Sequence, residues 1–334
     1  MSEFALELTD LIRNLAEDAG AKVYDDPGSV WAQVCELGLA GIGIPEENGG
    51  SGGSLGDLMV AIQELARAGM STPIVEASTA AYATGVAPGA DFDTIVVTPD
   101  LDVSSKAITA SFTQVPFADA AGRLVIVTAS SVVTVPLSGE SVTVEPGHDV
   151  ADLPNGRIRL DDAPVARTTG GPAAPDVTDR LALARSAALL GTAWGAYELT
   201  RRYVMQREQF GAPLIKIPAV STTLAQLVVR IRFAQSALDR AITVSEDGHA
   251  SALHRFGAVS AARVSTATTA TLVARISHQL HGAVGITAEY GLHHYTSKLW
   301  ALRDADESES GYSRQLGARV RSGAEIDLWD SISA

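Results

Sequence analysis

Cysteine is nearly absent from this chain, with Cys35 standing alone among 334 residues. A disulfide framework and a cysteine metal cluster are thereby excluded. Positive charge is also scarce: 25 Lys and Arg face 39 Asp and Glu, a formal net charge of −14. Such a surface repels phosphate backbones and anionic lipid, so neither nucleic acid nor a membrane is expected as a partner. No stretch approaches eighteen unbroken apolar residues, and Met1-Ser2-Glu3-Phe4 opens no basic region followed by an apolar core. A cytoplasmic chain without a membrane span is expected. What is plentiful is apolar: 46% of the residues are hydrophobic, enough at this length for a sizeable core in two or three subdomains.

Periodicity divides the chain. Residues 1–92 read as helices broken by turns, with Phe4, Leu6, Leu8, Leu11, Ile12 and Leu15 at helical spacing, then Trp31, Val34, Leu37 and Leu39. Pro45-Glu46-Glu47-Asn48-Gly49-Gly50-Ser51-Gly52-Gly53 is too glycine-rich for helix or strand, and Ser54 is placed to cap a helix over Leu55–Ala68. Over 93–167 the period shifts to short β-branched runs, at 94–98, 123–128, 132–135 and 141–144, which predict a small β domain. A linker at 168–176 precedes helical patterns over 177–207, 217–246, 252–281 and 287–302, with a weaker one over 309–321. These make a helical-bundle domain over 177–322, and 323–334 is a tail.

Two segments carry chemistry. Arg207-Glu208-Gln209-Phe210-Gly211-Ala212-Pro213 follows a long helical run and is answered about seventy residues later by Gln279-Leu280-His281-Gly282-Ala283-Val284-Gly285. An arginine fork meets phosphate oxygens at two points, and glycine lets backbone approach a pyrophosphate. Either segment alone reads equally as an ordinary helix stop. Together and in this order they resemble the acyl-CoA dehydrogenase family, as does the P-E-x-x-G-G-x-G pattern of residues 45–52, which taken alone is also a plain connector. The resemblance implies a helical N-terminal domain, a middle β domain and a C-terminal helical bundle. It also implies FAD as cofactor. Its ADP half would be cradled across a subunit interface by Arg207, Gln209, Phe210 and Gly211 with Gln279, Gly282 and Gly285.

Departures from the family pattern are equally informative. The T-E-x-x-x-G-S-D segment and the W-I-T-N-like strand that hold the flavin ring and thioester are missing, and Ser111–Pro116 stands where that material should begin. Where the family has an F-Q pair, this chain has Ile217-Pro218, without the amide or a backbone donor. The family's catalytic glutamate, in an E-G-T segment, falls by gap-free counting on Asp306, followed by Glu307 and Ser308. Asp306 and Glu307 are the candidate bases. Their alternative reading is a solvated acidic loop with Asp304 and Glu309. The family's second location for the base falls on Leu181, beside Asp179. His293 and His294 read as surface or interface residues, since adjacent helical positions diverge by about 100°.

The resemblance implies an acyl-CoA dehydrogenase subunit that desaturates an acyl-CoA thioester, similar to the short subunit of actinobacterial α2β2 complexes acting on steroid side-chain CoA esters. There the full-length partner subunit holds the flavin ring, only half the usual flavin complement is bound, and electrons pass to electron-transfer flavoprotein or a similar acceptor. Two alternatives stand beside it: a self-sufficient homo-oligomer using Asp306 or Glu307, and a catalytically silent subunit.

Overall fold

The computed structural model describes residues 3–20, 27–103, 106–168, 172–287, 289–305 and 307–322. The chain forms two compact units, one of residues 1–62 and 70–184, the other of residues 63–69 and 185–334.

The first unit opens on α1 (Glu3–Ala19), whose Leu8, Ile12 and Leu15 bury one face at helical spacing. Phe4 and Leu6, which the periodicity counted with that face, are exposed. In α2 (Pro27–Glu36) Val30, Trp31 and Val34 are buried. The glycine-rich run is a folded turn with its own hydrogen bonds, Gly43 N–H to the Gly52 carbonyl at 2.7 Å and Gly52 N–H to that of Ile44 at 2.9 Å. Gly50 is obligatory there, because a β-carbon would sit 2.6 Å from the Ile44 carbonyl carbon. Ser54 then caps α3 (Leu55–Arg67) reciprocally: Asp57 N–H donates to Ser54 Oγ at 3.0 Å and Ser54 N–H to Asp57 Oδ2 at 2.9 Å. Next comes α4 (Ile74–Thr84), buried along almost its whole length.

The β region holds two sheets. β1 (Asp93–Val97), β3 (Arg123–Val127), β4 (Val132–Pro136) and β7 (Ala166–Thr168) form one in the order β1-β3-β4-β7, with β1 parallel to β3 and the other pairs antiparallel. The second is antiparallel, β2 (Ala107–Pro116), β6 (Asn155–Pro164) and β5 (Val142–Glu145) in the order β2-β6-β5. Leu124, Ile126, Val133 and Val135 of the first sheet pack against Ile108, Val115, Ile158 and Leu160 of the second. Val125 and Val127, on the opposite face of β3, pack on Ala80 and Ala83 of α4 and on Ala174 and Val177. Burial on both faces is why β3 is an unbroken apolar run. Periodicity overlooked β2, β6 and β7. In β2 and β6 the register shifts twice, at Ile108/Ala110 and Phe112/Val115, and the positive φ of Gln114 and Asp162 breaks the alternation.

α5 (Ala174–Gln206) begins in the first unit and continues into the second. Residues 180–193 of it are buried without interruption. The second unit is completed by α6 (Pro218–Glu246), α7 (Ala252–His281), α8 (Leu292–Asp304) and α9 (Glu309–Ser322). A short connection makes α6 and α7 a helical hairpin, and Ser251 Oγ caps α7 by accepting from His254 N–H at 3.1 Å. The buried Arg263 donates to the Leu302 and Arg303 carbonyls at 2.9 and 3.0 Å, satisfying the C-terminal end of α8. Residues 63–69 lie against α5 at Gly191 and Gly195, where a side chain would strike the Gln63 and Arg67 carbonyls. Among the described residues no helix is long and apolar enough to cross a membrane.

Candidate cofactor site

Past the end of α5, Arg207 N–H donates to the Tyr203 carbonyl and its own carbonyl accepts from Leu214 N–H, both at 2.8 Å. Between these anchors the chain makes a miniature hairpin, β8 (Glu208–Gln209) against β9 (Ala212–Pro213). Its two-residue loop is Phe210-Gly211, with φ of 56° and 81°. Left-handed conformation at both positions is the geometry whose twist matches that of hairpin strands, but in a bulky residue such as phenylalanine it is strained. Phe210 is 94% exposed, and Arg207 and Gln209 are exposed with it. The Gln209 side-chain amide folds back onto the Glu208 carbonyl at 2.8 Å.

The second segment ends α7. Gly282 closes the helix with φ 59° and ψ −140°, a backbone state open essentially to glycine alone, and a single 3-10 turn over Gly282–Ile286 follows. Gly282 is exposed and nothing lies within 4 Å of where its β-carbon would be, while Gln279 is exposed one turn earlier. Gly285 differs. It is buried, and a β-carbon would meet His281 Cβ at 2.7 Å and Leu292 Cδ2 at 3.0 Å. Its missing side chain serves internal packing, and Gly282 is the glycine with open space beside it.

The structure joins the two segments through rings that the motif reading passed over. Tyr203 stacks on His281 with centroids 4.4 Å apart and planes 23° apart, and its hydroxyl donates to the His281 carbonyl at 3.3 Å. Tyr290 closes on both, 5.7 Å from Tyr203 and 5.0 Å from His281. One imidazole nitrogen of His281, Nδ1, lies 2.7 Å from the Ser277 carbonyl, so it carries the proton; His278 Nε2 lies 2.9 Å from Thr296 Oγ1. Burial, with the neighbouring His278, holds His281 below the usual histidine range, and burial with His293 does the same to His278. Burial raises the Tyr290 phenol. The available signal was an aromatic one turn before Arg207 and a histidine immediately before Gly282.

The acidic candidates are scattered. Asp306 lies outside the described residues. Glu307 is exposed and turned onto the start of α9, its Oε1 accepting from Ser308 N–H at 3.2 Å and its Oε2 from the Gln315 side-chain amide at 3.3 Å; Gly311 leaves it room. Asp304 is held by both arms of Arg303 at 2.8 Å, which lowers its pKa, and Glu309 accepts from Thr268 Oγ1 at 3.2 Å. Leu181 is buried, and Pro218 begins α6. The rings of His293 and His294 lie 4.0 Å apart, and among the described residues no three His, Cys, Asp or Glu gather as a metal site.

Residues 4–88 match the acyl-CoA dehydrogenase N-terminal domain and residues 174–303 the acyl-CoA dehydrogenase C-terminal domain. Acyl-CoA dehydrogenase IpdE2 of Mycobacterium tuberculosis is 27% identical over 332 residues, covering 95% of this chain and 90% of its own. FadE34 of the same bacterium, also an acyl-CoA dehydrogenase, is 28% identical over 317 residues, 86% of this chain but 43% of its own length. A solved Tcur3481–Tcur3483 steroid acyl-CoA dehydrogenase variant superposes with a TM-score of 0.86 at 24% identity, covering 96% of this chain and 98% of that one. The ChsE4–ChsE5 complex from M. tuberculosis does so at 0.86 and 20%, covering 97% and 99%. These structural likenesses speak for the fold. With both family domains matched in order across nearly two-thirds of its length, the chain belongs to the acyl-CoA dehydrogenase family of FAD-dependent oxidoreductases.

Proposed function

We propose that this chain is the shorter subunit of an α2β2 acyl-CoA dehydrogenase that desaturates a steroid side-chain CoA thioester. The observation that carries the reading is the Phe210-Gly211 hairpin, a strained turn bearing a 94% exposed phenylalanine beside the exposed Arg207. A side chain so exposed, on backbone so constrained, suits a surface completed by another chain. Relatives named as steroid acyl-CoA dehydrogenase and as a two-protein complex support the partner and the substrate class.

The residues present fit the ADP half of FAD. Arg207 offers a fork of donors to phosphate, the open Cα of Gly282 admits close approach, and Gln279 adds an exposed amide. The ring-holding segments are absent from the sequence, so the full-length partner supplies them. FAD held there would supply the hydride acceptor that desaturation of a thioester requires. Glu307, engaged at the start of α9, is not the group that takes the α-proton; that base is the partner's, and electrons leave to electron-transfer flavoprotein or a similar acceptor. Co-expression with a longer acyl-CoA dehydrogenase chain, followed by mass determination and flavin absorbance, tests this. A 2:2 assembly carrying half the usual flavin is expected, and a stoichiometrically yellow homo-oligomer of this chain alone would overturn it.

A further inference from the structure

We propose that His281 is a positioning residue for the cofactor cradle: its neutral ring, packed with Tyr203 and Tyr290, clasps the Arg207 hairpin to the Gly282 turn, and acid opens the clasp. The inference rests on the cradle reading of those two segments.

The hairpin is not rigid by itself, since an isolated pair of two-residue strands is unstable. Arg207 hangs by its N–H from the carbonyl of Tyr203, and Tyr203 is stacked on His281, the residue before Gly282. Arg207 and Gly282 are thus set relative to each other through this ring pair and the hydroxyl–carbonyl bond that accompanies it. With its proton on Nδ1 toward the Ser277 carbonyl, His281 keeps an unprotonated Nε2 that is buried and has no partner. A second proton would therefore place an N–H and a full charge where no acceptor waits.

The surroundings offer that charge nothing. Tyr203 faces it from α5 and Tyr290 from the segment before α8, both neutral phenols; Arg202 acts on Tyr290 as a further cation. His278, one turn back on α7, carries its own proton on Nε2, because Thr296 Oγ1 already donates to the Leu292 carbonyl at 3.3 Å; its Nδ1 is buried without a partner, and His293 adds positive charge when protonated. A histidine whose folded form resists protonation contributes stability that is complete above its unfolded pKa, near 6.5, and is lost as pH falls below it.

Hydrogen exchange of the full chain at pH 7.5 and 5.5, corrected for intrinsic rates, reads the clasp directly. Segments 203–214 and 279–290 should lose protection together at the lower pH, by up to about tenfold per pH unit below 6.5, while α6 does not change. His281→Phe keeps a ring for Tyr203 and cannot titrate at that position, so the pH difference of its two segments should shrink markedly, to what His278 alone contributes. Should that variant fail to fold, His281→Gln should show weaker protection with the same reduced pH dependence. Equal wild-type protection at both pH values, or an undiminished pH effect in either variant, would overturn the proposal. In the complex with the longer chain, flavin release should follow the same pH course; if the clasp opens and FAD stays, the cradle reading fails and the clasp stands.

Discussion

Gly195 lies against the ring of Tyr295: a β-carbon on the glycine would fall 2.9 Å from Cδ1 of that ring and 2.6 Å from the Arg67 carbonyl oxygen. The Tyr295 hydroxyl donates to that same carbonyl at 3.3 Å, so three parts of the chain meet where one methyl has no room. Gly195→Ala should destabilise by about 1–3 kcal/mol or more, as overpacking does. Gly257→Ala, also within a helix but with nothing nearer than 4.0 Å, should instead gain roughly 0.5–1 kcal/mol from helix propensity. Urea denaturation of both measures the contrast, and equal effects would refute the contact.

The two glycines of the α7 turn should fail differently. Gly282→Ala meets no neighbour and suffers only its backbone, at a cost of about 1–3 kcal/mol, whereas Gly285→Ala collides with His281. Repacking at His281 should disturb the Tyr203 ring, so tyrosine near-ultraviolet circular dichroism should change in Gly285→Ala and hold in Gly282→Ala.

Arg207→Ala should leave the fold intact, because the side chain is exposed. Losing one charge-assisted contact to phosphate is worth about 1.5–3 kcal/mol, ten- to a hundredfold in flavin affinity. Flavin retained by the assembled complex on gel filtration, set beside an unchanged melting temperature, is the check.

Glu307→Gln and Asp306→Asn should each keep most of the rate of flavin reduction by substrate in the complex. A true base loses roughly two orders of magnitude or more. A hundredfold fall in either variant with FAD still bound would place the proton-abstracting carboxylate on this chain.

Burial pushes the Cys35 thiol up to about 11, and its Sγ–H rests on the Gly89 carbonyl at 3.4 Å. At pH 8 only about one thiol in a thousand is then ionised, so alkylation should be slow and should accelerate about tenfold per pH unit up to 11. Reaction at pH 8 at the rate of a free model thiol would contradict this.

Helices are legible in the sequence where period and punctuation agree. The 252–281 pattern became α7 with the same ends, because Ser251 caps one end and only Gly282 can adopt the backbone at the other. β2 and β6 were illegible because bulges and left-handed residues break the two-residue alternation that marks a strand. The candidate site divides in the same way. Arg207 and Gly282 announce themselves by residue type and spacing, but that Tyr203 lies on His281, 78 residues apart in sequence, is a tertiary fact to which no local pattern points. The opposite roles of Gly282 and Gly285 were likewise hidden, since a motif counts glycines without saying which one touches its own chain.

Residues 63–69 belong with the bundle although they are made more than a hundred residues before most of it. They cover Gly191 and Gly195, pair Arg67 with Glu198, and take the buried ammonium of Lys298 on the Gly69 carbonyl. During synthesis from the N-terminus, α3 therefore emerges with its last turns still waiting for their neighbours, and the closing contacts span long stretches of sequence, which slows folding. Cutting the chain at residues 168–176, where composition suggests a clean joint, would leave a bundle with an uncovered glycine seam, prone to aggregate and to borrow the missing strap from another copy.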